Sequence, residues 1–361
     1  MTEPPRILIF RYARFGDALV AIPALRALRE AMPHAHLALL SEKVGERQPA
    51  REVLEPLGLL DAFHGFTPPS RPLQSRLAHA RLVRRLRRER WDIGIVLMSP
   101  NPPASDALFD RMETLLRKAG AKRVVRPARA RGFARDAEGR LAGGWHEADQ
   151  ALRVVSELTC EPPPPGEADF SLDPAAFAGD PPAEAISWHP QPPTGDRAWF
   201  ALAPFTNMQA KRWPEDRFVA VAEALIERGG VPVIIGSRAE APLAYALLDA
   251  LPMGGVLCGA ELGTLAAALR RCRLYLGNDT GPMHLAAAVG TTCVAVFSAR
   301  DQPEVWYPYG GQRHGHRVLR EAVSCEGCLL QRCEIENKRC LTVIDPQRVI
   351  AAAIEVWNRE S

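Results

Sequence analysis

Short apolar runs alternate with amphipathic segments along the first 125 residues. Strand-like runs stand at 6–11 (RILIFR), 36–41 (HLALLS), 62–66 (AFHGF), 91–98 (WDIGIVLM) and 122–125 (KRVV). Between the first two, residues 17–32 (DALVAIPALRALREAM) put Leu19, Ile22, Leu25 and Leu28 at helical spacing. Strand and helix in alternation predict a parallel sheet covered on both faces. The pattern fails over 161–198, which hold ten prolines and no period, as expected of an extended linker or irregular wrap.

The alternation then restarts. Strands are predicted at 200–205, 231–236, 255–259, 274–278 and 292–298, with helices at 214–228, 239–250, 261–271 and 282–289, and a last helix at 346–358. The expected fold is α/β, with two Rossmann-like domains whose parallel sheets face a central cleft. The boundaries are 1–170 for the N-terminal domain, 171–198 for the linker and 199–345 for the C-terminal domain. A terminal helix within 346–361 can pack back on the N-terminal domain. In open α/β sheets ligands sit beyond the carboxyl ends of the strands, so the loops that follow strands are the candidate sites.

Composition narrows the class. The chain has 361 residues, 47% hydrophobic and 24% charged, which suits two soluble domains. No window reaches the roughly 18–20 apolar residues of a membrane span, and the N-terminus lacks a signal-peptide layout, so a cytoplasmic location is expected. Net charge is +3, but residues 71–140 carry 18 Lys and Arg against 7 Asp and Glu. The densest part is RLVRRLRRER at 81–90. Such a run is either a solvated helix face or an attraction for an anionic partner: phosphorylated lipid, membrane face or nucleic acid.

Four loops carry candidate chemistry. In RYARFGDALVAIP (11–23), Asp17 stands where strand turns into helix, as a helix-capping acid or a general base. Gly16 permits close approach to the backbone, and the absence of GxGxxG leaves a dinucleotide site unsupported. In PFTNMQAKRWPEDRF (204–218), Thr206 and Asn207 offer a hydroxyl and an amide, and Lys211 a charge able to meet phosphate. In GSRAEAPLA (236–244), Glu240 either accepts from ribose hydroxyls or satisfies the next helix's dipole. In LGNDTGPMHLAAAVG (276–290), Asp279, Thr280, Gly281 and His284 surround a helix start. Free N–H groups of Gly281, Met283 and His284 would form an anion site there, or Asp279 or Thr280 would cap the helix. The dipole disfavours His284 as an imidazolium unless an anion is bound.

There are eight cysteines. Cys160, Cys258, Cys272 and Cys293 are scattered in apolar settings and read as core. Cys325, Cys328, Cys333 and Cys340 follow C-x2-C-x4-C-x6-C. Four thiolates so close can hold one tetrahedral Zn or Fe ion in a structural role, or remain free thiols.

Together these loops resemble glycosyltransferase family nine, the lipopolysaccharide heptosyltransferases. The resemblance is carried by ILIFRYARFGDALVAIPALRAL, KRWPEDRF and NDTGPMHLAAAVGT, and by the cysteine-rich tail, in order over residues 6–355. It implies a GT-B fold, with the acceptor on the N-terminal domain and the nucleotide sugar on the C-terminal one. It implies inverting transfer of L-glycero-D-manno-heptose from ADP-heptose without a catalytic metal ion. Asp17 would be the general base, Thr206 and Lys211 would hold the diphosphate, and Glu240 the ribose. Asp279 would contact the heptose, and Thr280, Gly281 and His284 would line the pyrophosphate. The implied acceptor is an anionic lipopolysaccharide core, met by peripheral contact with the cytoplasmic face of the inner membrane, with no nucleic-acid partner.

Arg14 departs from the small residue of many members, which leaves the acceptor side open, and no acceptor residue is carried over from 60–190. Two other classes stay open. One is another GT-B nucleotide-sugar enzyme, such as an epimerase or a protein-directed heptosyltransferase. The other is a non-catalytic nucleotide-sugar-binding scaffold.

Overall fold

A computed structural model describes residues 3–45, 47–67, 72–101, 104–172, 181–193 and 197–359. Five strands, β1 (Arg6–Phe10), β2 (His36–Glu42), β3 (Ala62–Phe66), β4 (Ile93–Val96) and β5 (Arg123–Val125), form a fully parallel sheet in the order β3-β2-β1-β4-β5. Around it lie α1 (Phe15–Leu19), α2 (Ile22–Ala31), α3 (Pro49–Leu54), α4 (Pro72–Arg87), α5 (Asp106–Lys118) and α6 (Glu147–Val155). One core cluster joins Leu8 and Phe10 of β1 to Trp91 and Phe109. The Trp91 indole N–H donates to the Leu86 carbonyl at 2.8 Å, so the ring is buried with its polar edge satisfied.

The second sheet has seven strands: β6 (Ser187–His189), β7 (Trp199–Ala203), β8 (Val231–Gly236), β9 (Gly254–Cys258), β10 (Cys272–Asn278), β11 (Cys293–Phe297) and β12 (Arg317–Arg320). Their order is β12-β11-β10-β7-β8-β9-β6, parallel throughout except for the antiparallel edge strand β6. The accompanying helices are α7 (Glu215–Ile226), α8 (Ala241–Asp249), α9 (Leu262–Arg271), α10 (Gly281–Ala288), α11 (Arg339–Thr342) and α12 (Pro346–Trp357).

The chain divides into two units: Met1–Phe133 with Trp145–Phe170, and Ala134–Gly144 with Ser171–Ser361. This differs from the expected boundaries in three ways. Residues 134–144 belong to the second unit. They are held there by a Gly144 N–H to Pro303 C=O bond of 3.0 Å and by Gln302 Nε2 donating to the Ala142 carbonyl at 3.1 Å.

The described residues of the expected linker 171–198 also join the second unit, and among them Ser187–His189 pairs with β9. A three-residue strand is too short to show a period. Residues 173–180 and 194–196 of that linker lie outside the described residues. Finally, the terminal helix α12, for which packing back on the N-terminal domain was one option, buries Val349, Ala353, Val356 and Trp357 in the second unit's core. Its Trp357 stands edge-on to Phe200 of β7, with centroids 6.1 Å apart.

Two local corrections follow, the first with a physical cause in the chain. The single helix expected over 17–32 is two helices, because the Pro23 ring would clash with the Leu19 carbonyl one turn back. Cys160, expected in the core, is exposed, Cys258 is half-buried, and Cys272 and Cys293 are buried.

Candidate active site

In each sheet the strand order reverses between two parallel neighbours, and the crevice for a ligand lies beyond their carboxyl ends. In the second sheet these neighbours are β7 and β10. They approach so closely that a Cβ on Gly277 would fall 2.6 Å from both the Ala203 carbonyl and the Tyr275 hydroxyl, so only glycine fits.

Asn278, fully buried at the end of β10, ties the two departing loops together. Its Nδ2 donates to the Pro204 carbonyl at 2.6 Å and its Oδ1 accepts the Trp213 N–H at 3.1 Å. Trp213 is itself anchored edge-on to Phe218 at 4.8 Å. The short turn Gln209–Lys211 between these anchors is thereby aimed at the start of α10. Lys211 Nζ lies 2.5 Å from Asp279 Oδ2, with the two side chains 14% and 8% exposed.

The start of α10 is only partly as expected. Thr280 is the N-cap residue, but its side chain makes no capping bond. Its hydroxyl stands 3.1 Å from that of buried Tyr275, which donates to the Asn278 carbonyl at 3.2 Å. The Met283 N–H, expected to be free, donates to the Thr280 carbonyl at 3.1 Å. The helix dipole and the Gly281 N–H remain at this end.

His284 is buried, with its ring edge-on to Trp306 at 6.1 Å. Burial, reinforced by the Lys211 charge, lowers its pKa to about 3, so the imidazole is neutral. Thr206 is buried in the same loop system. Its hydroxyl accepts the Met208 N–H at 3.3 Å and its carbonyl accepts from Arg212 at 2.9 Å.

Sequence reasoning missed two members of this group. Tyr275 reads as one more apolar strand residue, yet it orients Thr280. Asp301, in the loop after β11, pairs with Arg300. Burial raises its pKa against the opposing charges of Lys211 and Arg300, with Asp279 adding to the rise. Its position just past a strand's carboxyl end was the available signal.

Glu240 is not drawn into the Lys211 group. Its Oε2 accepts both the Ser237 N–H at 2.8 Å and the Ser237 hydroxyl at 2.7 Å, so it serves the turn before α8. It flanks Cys258, whose thiol is pushed up to about 11 by burial and by this negative charge.

The first sheet reverses between β1 and β4. Beyond β1, Asp17 sits in the first turn of α1, where its carboxylate accepts the Arg14 N–H at 3.1 Å. Three neighbours were missed by sequence reasoning. Arg11 and Glu147 form a buried ion pair at 3.2 Å. Tyr12, 39% exposed, rests edge-on against Phe10 and Phe66 at 5.1 and 6.0 Å.

Cys325, Cys328, Cys333 and Cys340 line one small cavity with Ala299, Arg300 and Ala210. Burial, and the nearness of the other three, raise the Cys340 thiol. Their spacing brings them together, but among the described residues no group of three or more His, Cys, Asp or Glu is arranged to hold a metal ion. The Cys333 thiol instead donates to the Ile335 carbonyl at 2.7 Å.

The family model of glycosyltransferase family 9 (heptosyltransferase) matches residues 79–338. The chain belongs to this family. Lipooligosaccharide heptosyltransferase 2 of Campylobacter jejuni is 26% identical over 151 residues, covering 40% of this chain and 46% of its own length. The chain thus spans under half of that relative. Lipopolysaccharide heptosyltransferase 1 of Pseudomonas aeruginosa is 24% identical over 372 residues, covering 95% and 96%. The structure of Escherichia coli ADP-heptose lps heptosyltransferase II superimposes with a TM-score of 0.65 at 18% identity, covering 97% and 98% of the chains. The two parallel sheets are those of the GT-B fold of family 9. Among the described residues no helix is long and apolar enough to cross a membrane.

Proposed function

We propose that this family 9 member moves heptose from ADP-heptose to a hydroxyl of a lipopolysaccharide core, inverting the anomeric centre. The observation that carries this is the Lys211–Asp279 pair at the N-terminus of α10, beyond the switch point of the second sheet.

Departing ADP gathers negative charge. Lys211 and the α10 dipole stabilise it electrostatically, and the hydroxyls of Thr206 and Thr280 and the Gly281 N–H complete the diphosphate cradle. Neutral His284 contributes a hydrogen bond rather than a charge. Asp279 turns to the heptose, and Glu240 receives the ribose with the oxygen that its turn does not use. These charges serve the leaving group, and catalysis proceeds without a metal ion.

The acceptor hydroxyl needs a base on the face opposite the leaving group. Asp17 of the first unit is that base: it takes the proton as the oxygen attacks the anomeric carbon. The arginines exposed on and just after α4 (Arg81, Arg84, Arg85, Arg87 and Arg88) suit the phosphates of an anionic core. They also suit peripheral attachment to the cytoplasmic face of the inner membrane. A structural Zn or Fe ion at the thiol quartet, outside the reaction, would require the four thiols to leave the arrangement described above. One equivalent of metal per chain supports that role and none removes it.

The test is incubation with ADP-heptose and a truncated core, following ADP release. Release that requires the core supports the assignment. Donor consumption without acceptor points instead to an epimerase-like enzyme, and absence of both release and ADP binding sinks the proposal.

A further inference from the structure

The Arg11–Glu147 ion pair lies under the loop that carries Asp17. The Arg11 side chain is 3% exposed and each of its nitrogens is used. Nε donates to the Asp17 carbonyl at 2.9 Å, Nη1 to the Leu97 carbonyl at 2.9 Å, and Nη2 to Glu147 Oε1 at 3.2 Å. One guanidinium therefore fixes the helix bearing Asp17 to the end of β4 and the start of α6, across the switch point of the first sheet. A buried ion pair contributes little net stability compared with apolar residues of the same volume, so its use here is conformational.

The geometry points to a positioning role: Arg11 sets the backbone of Asp17, and Glu147 takes up the remaining Arg11 donor, so that none is spent on the Asp17 carboxylate. This rests on the reading of Asp17 as the base. An unneutralised guanidinium beneath that loop would favour the charged carboxylate and weaken it as a base. Glu147 intercepts that charge, so the Arg11 donors go to backbone carbonyls and to Glu147 rather than to the Asp17 carboxylate. Glu147 is buried, and burial raises its pKa against the pull of Arg11, with Ser99 as a hydrogen-bond partner and the Asp17 charge adding to the rise.

Other charged groups on the packed elements are engaged elsewhere, among them Arg153 of α6, which lies over the Trp145 ring at 3.0 Å. Arg14 pairs with Glu42 of β2. On α3, Arg51 and Glu52 pair with Glu55 and Arg47. On α2, Arg26 and Arg29 pair with Asp169 and Asp61. On α6, Asp149 accepts the Gly166 N–H, and His146, at the helix start, accepts the Ala148 N–H.

The test compares pH profiles of kcat/KM for the whole chain and its Glu147→Gln variant. The expected result is an acid limb displaced by about one unit or more toward lower pH, with a lower plateau and unchanged ADP affinity. Arg11→Lys keeps the charge and loses the fork, so its limb should stay in place while kcat falls roughly tenfold or more with donor KM unchanged. If Glu147→Gln does not fold, Arg11→Lys decides alone: an unchanged kcat overturns the proposal. An unshifted limb in folded Glu147→Gln also overturns it. Asp17→Asn separates the two failures. If that variant still turns over, the base is misassigned; if it is inactive while the limb is unshifted, only the positioning role fails.

Discussion

Lys211 and Asp279 neutralise one another at the mouth of α10, with Nζ 2.5 Å from Oδ2. The cation proposed to meet the diphosphate is already paired, and on that proposal an incoming phosphate must share it or take it over. Removing each partner should therefore have opposite effects on binding. Lys211→Ala is expected to weaken ADP binding about 10- to 100-fold, the worth of one charge-assisted contact. Asp279→Asn is expected to leave ADP affinity equal or tighter while lowering kcat. Calorimetric titration with ADP, alongside turnover, checks both. Weaker ADP binding in Asp279→Asn would contradict the pairing.

Asn278 ties together the loops that follow β7 and β10. Asn278→Ala removes the partners of the buried Trp213 N–H and the Pro204 carbonyl. A loss of about 1–3 kcal/mol per stranded group is expected. Urea unfolding should show a lower midpoint at unchanged slope, and ADP affinity should fall because the Lys211 turn is no longer held. A midpoint equal to the parent's would rule out this bridging role.

How much of this could be read from the chain depended on range. Strands such as Val231–Gly236 appear in the sequence at their observed limits, because a doubly covered sheet demands an unbroken apolar run. Asp279, Thr280, Gly281 and His284 were legible because they crowd one helix start. Arg11 and Glu147 were not, since they stand 136 positions apart and each looks like an ordinary surface charge until the fold buries both. Glu240 was visible as a first-turn acid, but only the structure shows its Oε2 accepting both donors of Ser237. The cysteines were legible as a cluster, and their thiol geometry was not.

Two buried histidines should make stability fall on acidification. His284 is lowered to about 3 by burial and the Lys211 charge, and His316 to about 4 by burial and His314. Between these values and the ordinary 6.5, the unfolded chain binds protons that the folded chain refuses. Stability therefore rises with pH through that window and is fully present above it. The slope is about 1.4 kcal/mol per unit for each group. Glu147 and Asp301, both raised by burial, act in the opposite sense, so the comparison must be between chains. Urea unfolding at pH 7 and pH 5 should show a smaller acid loss for His284→Gln than for the parent. Equal losses would mean that His284 is not held neutral.

Asp17 is the sharpest point of attack on the proposed chemistry, because its structural and catalytic roles separate. Structurally it accepts one N–H, that of Arg14, at the start of a five-residue helix. Asp17→Asn keeps an oxygen to accept that bond, so the fold should survive with at most about 1 kcal/mol lost. Catalytically the amide cannot take a proton at any working pH. A general base contributes about 10²- to 10⁴-fold, so turnover should fall by that factor. ADP affinity, which the proposal assigns to the second unit's loops, should be unchanged. Single-turnover kinetics with saturating donor and core acceptor, beside an ADP titration, measure both quantities on one sample. A normal rate would remove Asp17 as the base, whereas a joint loss of rate and ADP binding would mean that the substitution had disturbed more than the proton transfer.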